Sequence, residues 1–285
     1  MTKQPAKKPK KGRRALIAVL VAAVLCGWFH WQQTGLVPEE IVVASDRLPA
    51  AFEGLRISMV SDVHCAQFGQ DNETLLAAVA AQQPDLIALT GDLLDRFETD
   101  LSMVEPLAKG LAAIAPTYYV TGNHEWALGT AAVKGLKQTL AACGVTVLSN
   151  EYLTLEREGE TIVLAGIDDP NGYADQKTLA QLMTDIRAEL GDPFVLLLAH
   201  RNDGQLYSQC GVDLTLCGHA HGGLSRLPFT DGLMDNDRTF FPTWTAGLYE
   251  LEQGQMVVSR GLGNSGPTFR LFNRPHLPLV VLECE

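Results

Sequence analysis

Five short stretches carry side chains that ligate metals: Asp62-Val63-His64, Gly91-Asp92, Gly122-Asn123-His124-Glu125, the isolated His200, and Gly218-His219-Ala220-His221-Gly222-Gly223. With His124 and Glu125 set aside, they supply two carboxylates (Asp62, Asp92), one amide (Asn123) and four imidazoles (His64, His200, His219, His221). So many donors exceed the needs of one tetrahedral site and suit two divalent cations sharing a bridging carboxylate, for which Asp92 is the natural candidate. Two such ions, about 3.5 to 4 Å apart, clamp a phosphate, acidify a shared water and deliver hydroxide in line with the leaving group. Mixed oxygen and nitrogen donors suit Mn, Fe, Zn or Co, and without a thiolate nothing singles out zinc.

The elements around these residues repeat one arrangement. Arg56–Ser61 reads as a core strand ending in Asp62; Leu86–Thr90, apolar on both faces, ends in Gly91-Asp92; Tyr118–Thr121 ends in Gly122-Asn123; Phe194–Ala199 ends in His200; Leu214–Cys217 ends in Gly218-His219. Continuous apolar runs of this length are strands covered on both faces. Between them lie helical patterns: one capped by Asn72 and running to Gln83, one from Met103 to Ala113, one from Thr130 to Cys143, and one from Gln176 to Leu190. Shorter strands are expected near Val145–Leu148, Tyr152–Glu156, Thr161–Gly166, Tyr249–Glu252, Gln255–Ser259 and Leu277–Leu282. Alternating strands and helices make an α/β protein, and open α/β sheets collect ligands beyond the carboxyl ends of their strands. The five loops are therefore expected to converge.

In order and spacing, Asp62-x-His64, Gly91-Asp92, Gly122-Asn123-His124-Glu125, His200 and Gly218-His219-x-His221 resemble the motifs of the calcineurin-like metallophosphoesterases, over roughly residues 50–285. Leu48-Pro49 before the first strand, the Ser61-Asp62-Val63-His64 form of the first motif and an N-terminal apolar segment look most like the family's bacterial membrane-associated or exported branch. The resemblance implies two facing mixed β-sheets flanked by helices, a four-layer α/β/β/α sandwich. It implies that Asp62, His64, Asp92 and His221 hold one metal, that Asp92, Asn123, His200 and His219 hold the other, and that His124 stands beside the phosphate as proton donor. Leu224 replaces a common Gln after Gly222-Gly223, and Arg201-Asn202-Asp203 replaces a more usual Asn-Pro-Asp. Both changes bear on substrate contacts and remove no ligand. Arg96 and Arg201 are candidate phosphate contacts, against the blander reading of solvated loop arginines.

Charge is divided unevenly. Residues 1–14 hold seven Lys/Arg and no acid, leaving 15 bases against 33 acids in the remainder. So acidic a body argues against nucleic acid as a partner, since that binding rests on neutralising phosphates with Lys and Arg. No charge occurs between Arg14 and Glu39, and the run Ala15–Trp31 is apolar with Trp28 and Trp31 near its end. This reads as one transmembrane anchor with an interfacial aromatic belt, and no small-x-small cleavage site follows it. The expected organisation is a basic cytoplasmic tail (1–14), an anchor (15–34), a connector (35–54) with a short strand at Ile41–Ala44, and an extracytoplasmic catalytic domain (55–285). Arg13-Arg14 is compatible with twin-arginine export. Six cysteines without paired spacing indicate no disulfide framework. Gly261–Gly266 matches G-x-G-x-x-G, but Pro267 and a strand-like run follow where a dinucleotide fold needs a helix.

The expected activity is that of a membrane-anchored dinuclear-metal phosphohydrolase on a phosphoester or pyrophosphate. Two alternatives stand beside it: a lipid-linked pyrophosphohydrolase acting on a nucleotide-activated acyl sugar, and a catalytically silent binding protein on the same fold. A silent protein would be expected to lack some ligand positions, and this chain lacks none.

Overall fold

The computed structural model describes residues 11–98, 100–224, 226, 232–234, 240–265 and 268–285. Most of the basic tail, and Gly266-Pro267 of the glycine-rich loop, lie outside the described residues. The first half of the chain runs α1 (Lys11–Thr34), β1 (Val37–Ser45), β2 (Arg56–Val60), α2 (Glu73–Ala81), β3 (Leu86–Thr90), α3 (Val104–Ile114), β4 (Thr117–Val120), α4 (Asn123–Ala127), α5 (Thr130–Ala142) and β5 (Thr146–Val147). The second runs β6 (Glu151–Arg157), β7 (Glu160–Gly166), α6 (Leu179–Leu190), β8 (Val195–Leu198), α7 (Gly204–Cys210), β9 (Leu214–Cys217), β10 (Gly247–Glu250), β11 (Gln255–Val258) and β12 (His276–Cys284).

Two six-stranded mixed sheets result, ordered β1-β12-β2-β3-β4-β5 and β10-β11-β9-β8-β7-β6. Period-two alternation explains why they stack. In β3, Leu86 and Ala88 face the second sheet while Ile87 and Leu89 face helices; in β8, Leu196 and Leu198 face the first sheet while Val195 and Leu197 face outward. The middle layer joins Ile57, Met59, Leu86 and Val280 to Ile162, Leu164, Leu196, Leu214 and Val257. Leu75 and Val79 of α2, Leu107 and Leu111 of α3, and Leu136 and Leu140 of α5 cover the first sheet. Leu182, Met183 and Ile186 of α6 and Tyr207 of α7 cover the second. This is the four-layer α/β/β/α sandwich expected from the resemblance, preceded by one long apolar helix.

Three local expectations need correction. The short strand expected at Ile41–Ala44 is present but longer, Val37–Ser45: β1 pairs in parallel with all nine residues of β12, and Ile41 and Val43 are buried in the middle layer. Its short apolar core, with Pro38, Glu39 and Glu40 beside it, looks weak as an isolated strand and forms because β12 offers an edge. Asn72 stands at the start of α2 but at φ +63°, and its side-chain oxygen accepts from the Phe68 amide rather than from the helix. The α6 helix starts at Leu179, later than Gln176, because Thr178 and Gln181 form a reciprocal capping box there.

Candidate metal centre

Asp62, Asp92 and Asn123 follow β2, β3 and β4 of the first sheet; His200, His219 and His221 follow β8 and β9 of the second. The carboxyl ends of both sheets thus meet at one place, and all seven candidate ligands gather there with His124. Close backbone approach makes this possible. A Cβ on Gly122 would lie 2.1 Å from Asp92 Oδ1, and one on Gly218 would lie 2.0 Å from Ser61 Oγ and 2.1 Å from Asp62 Oδ2. Only glycine lets these loops close on the carboxylates. Asp62, His64, Asp92, His219 and His221 themselves adopt φ between +46° and +67°. Left-handed backbone at non-glycine residues costs on the order of 1–3 kcal/mol each and persists where surrounding structure enforces it, often at functional sites.

Two clusters are visible. In one, ligand atoms of Asp62, His64 and His221 lie within 4.8 Å of one another. His64 Nε2 faces His221 Nε2 at 3.1 Å, and His221 Nε2 lies 3.4 Å from Asp62 Oδ1. In the other, His200 Nε2 lies 3.2 Å from Asp92 Oδ2, 3.1 Å from Asn123 Oδ1 and 3.2 Å from His219 Nδ1. Asp92 Oδ2 also lies 3.7 Å from His64 Nε2, so one carboxylate faces both clusters. Asp62, Asp92 and His200 form a further close group.

The donor chemistry fits cations. His200 Nδ1 is 2.9 Å from the Thr90 carbonyl, which only accepts, so that nitrogen carries a proton and Nε2 is the atom turned to Asp92 and Asn123. A ring nitrogen, a carboxylate oxygen and an amide oxygen then converge. Metal-free, this arrangement distorts every titration. Burial pushes the Asp62 carboxyl up to about 6. Burial also acts against Asp92, yet His200 and His64 beside it hold its carboxyl below the ordinary range. Against burial, Asp92 raises His200 to about 10. Burial lowers His64 to about 4 and takes His219 and His221 well below the usual imidazole range. Neutral imidazoles facing each other nitrogen to nitrogen, as His64 and His221 do, present the lone pairs that metals take.

His124 is placed differently. Its Nδ1 accepts from the Arg96 backbone N–H at 3.0 Å, which leaves the proton on Nε2, 3.3 Å from Ser265 Oγ and 3.9 Å from Asp92 Oδ2. Burial lowers its pKa, favouring the neutral ring. Of the two candidate phosphate arginines, Arg201 is tied to Asp169 at 2.6 Å and touches His219 Nε2 at 3.1 Å, while Arg96 reaches Ser265 at 3.4 Å. In the altered Arg201-Asn202-Asp203 segment, Asn202 donates to the Trp244 carbonyl and Asp203 caps α7, so two of the three residues serve the fold.

Sequence reasoning missed two acids. Glu125, wholly buried, accepts from the amides of Asp92, Leu94 and Gly122, binding the second motif loop to the third. Burial and the nearby Asp92 charge push its carboxyl up to about 8. Its place in Gly122-Asn123-His124-Glu125 was the available signal, but its three partners span residues 92 to 122. Asp95 lies 3.9 Å from Nδ1 of both His64 and His124, completing a third close group. Arg270, buried in the glycine-rich loop, donates to the carbonyls of Arg260, Gly263 and Asn273. That loop is thereby a fixed wall of the site, with Ser265 against His124 and Asn273 donating to the His221 carbonyl.

Comparison with known proteins agrees with this geometry. The family model described as calcineurin-like phosphoesterase matches residues 55–223. Similar chains include the uncharacterized metallophosphoesterase YkuE of Bacillus subtilis, 31% identical over 86% of this chain and 84% of its own length. Phosphodiesterase YaeI of Escherichia coli is 28% identical over 94% of this chain and 97% of its own. A Bos taurus protein named transmembrane protein with metallophosphoesterase domain is 29% identical over 98% of this chain and 64% of its own. The chain spans about half the length of the solved chains it matches first, at TM-scores of 0.48. With the match covering every motif loop from Asp62 to His221 and the sandwich built as described, the chain belongs to the calcineurin-like phosphoesterase family, metal-dependent hydrolases of phosphoesters.

Proposed function

We propose that the chain is a membrane-anchored hydrolase of a phosphorylated small molecule, cutting a phosphoester or pyrophosphate bond at a centre of two divalent cations. Asp62, His64, Asp92 and His221 would hold one ion, and Asp92, Asn123, His200 and His219 the other. The observation that carries the reading is the Asp92 carboxylate, which faces His64 on one side and His200 on the other. When bound, two such cations neutralise phosphoryl charge and supply an acidified water as nucleophile.

The remaining chemistry falls to the chain. Glu125 fixes the two loops so that Asp92 and Asn123 keep their spacing. His124, with its Nδ1 engaged by the Arg96 amide, offers Nε2–H toward the space beside Asp92. In this reading His124 is a hydrogen-bond donor, a neutral N–H whose bond strengthens as charge builds on the departing oxygen. Arg201, held by Asp169, braces His219 rather than clamping phosphate.

Hydrolysis by the full chain, loaded with Mn, Zn, Fe or Co, measured across phosphomonoesters, phosphodiesters and pyrophosphates, tests the function and separates the substrate classes. Turnover of at least one class, abolished by chelation, is expected. Absence of turnover with every metal and class would favour the silent binding protein.

The anchor is the second part of the proposal. The helical segment Gly12–Thr34 has mean hydropathy 1.8 in its most apolar window, of which 6% is buried. At 1.5 Å per residue it reaches about 34 Å, enough for a hydrocarbon core of about 30 Å. The basic residues before it support a cytoplasmic N-terminus with the catalytic domain outside. Protease added to intact spheroplasts is then expected to digest the domain while sparing a cytoplasmic control; a protected domain contradicts the orientation.

A further inference from the structure

Where α1 meets the catalytic domain, the chain builds a polar groove that the metal centre does not use. Its volume is ≈ 510 Å³, and its lining includes Trp28 and Trp31 of α1, Phe272, and three arginines, Arg226, Arg260 and Arg274. Beyond the basic tail the chain carries 15 bases against 33 acids, so three guanidinium groups lining one groove are a local concentration of arginine, in which Arg226 also donates to the Gly222 carbonyl at 3.3 Å. Glu39 balances Arg260 at 3.2 Å. Arg274 lies over the Trp31 ring at 4.0 Å, a stacking that leaves the in-plane N–H fork open to a phosphate.

The end of α1 is not a free linker. Gln32 accepts from the Phe272 amide at 2.9 Å; Gln33 accepts from the Arg270 amide at 2.8 Å and donates to the Arg270 carbonyl at 2.7 Å. Trp28 packs edge-on against Phe272, and Phe29 against Phe269. These contacts fix the domain against the helix, so a membrane that holds α1 also sets the height of the groove. Trp28 and Trp31 mark the interfacial level. Phe269 and Phe272, 54% and 50% exposed, stand at that same level as unburied aromatics.

The geometry points to this groove as a binding site for the phosphate of an anionic phospholipid headgroup, with the acyl chains lying along the exposed apolar side of α1. The inference rests on α1 being a membrane anchor. Arginine forks suit a phosphodiester, the tryptophans suit the glycerol region, and the arginines give an anion a local attraction within an otherwise acidic domain.

Full-length protein in phosphatidylcholine nanodiscs, with or without phosphatidylglycerol, provides the test, retained lipid being counted by native mass spectrometry after release. Wild type is expected to keep phosphatidylglycerol in preference to phosphatidylcholine. Arg274→Gln is expected to lower that retention about fivefold, and Arg226→Gln with Arg274→Gln further. Unchanged hydrolysis of a soluble nitrophenyl diester by both variants shows that the fold is intact. Equal retention of the two lipids, or equal retention by wild type and the double variant, overturns the inference while leaving the anchor standing. Failure to enter nanodiscs of either composition overturns both. Displacement of the lipid by excess inorganic phosphate shows a free-anion site and overturns the lipid assignment.

Discussion

Asp92→Asn is expected to empty both metal positions together and to lower kcat/KM by at least about 10³-fold, since metal stabilisation of phosphoryl transfer is worth several kcal/mol. The replacement keeps the shape of the side chain, and its amide oxygen can still accept the His124 backbone N–H that Asp92 Oδ1 takes at 2.8 Å. What it loses is a negative charge 3.2 Å from His200 and 3.7 Å from His64, on a carboxylate that faces both clusters. His64→Ala removes a donor from a single cluster and is expected to deplete one ion more than the other. Elemental analysis of both variants beside their rates distinguishes the cases. An Asp92→Asn protein that retains two ions, or stays within tenfold of wild type, contradicts the bridging role.

His124→Gln is expected to keep its metals and lose about 10²–10³-fold on an alkyl phosphoester, the range for removing one preorganised donor aimed at developing charge. On a nitrophenyl ester the loss should be under about tenfold, because a stable phenolate needs little help in leaving. The contrast follows from placement. His124 Nε2 is 3.9 Å from the Asp92 carboxylate, while its Nδ1 is committed to the Arg96 amide, so the ring turns one N–H toward the site. Burial keeps the ring neutral, and activity should therefore not fall merely because pH rises through the ordinary imidazole range. Loss of metal, or equal losses on both esters, would instead make His124 a brace for its loop.

The convergence of the candidate ligands was legible because most of them follow a recognisable local event. Asp62, Asp92, Asn123, His200 and His219 come at the ends of short apolar strands, three of them beside a glycine, and strand ends in an α/β protein meet on one side of a sheet. The pairing of the two sheets across that side was not legible from periodicity, which fixes alternation within a strand but not which sheet a strand joins. It came from the family resemblance. Glu125 and Asp95 were missed for a related reason: the amides of Asp92 and Leu94, and the imidazoles of His64 and His124, belong to other loops. Arg270 stood in the sequence only as part of a strand-like run, and the carbonyls of Arg260, Gly263 and Asn273 that justify its burial come together only in the folded chain. The α7 helix, at seven residues, is too short to show a period. The packing of Gln32 and Gln33 against Asn264, Arg270 and Phe272 depends on contacts more than 230 residues apart in sequence.

Metal stoichiometry tests the central claim most directly. Full-length protein stripped by chelation and titrated with Mn or Zn, with bound metal and hydrolysis measured on the same samples, should gain activity as the second ion binds and reach its plateau at two ions per chain. A plateau at one ion per chain, or turnover in the stripped protein, would contradict a dinuclear centre built on Asp62, His64, Asp92, Asn123, His200, His219 and His221.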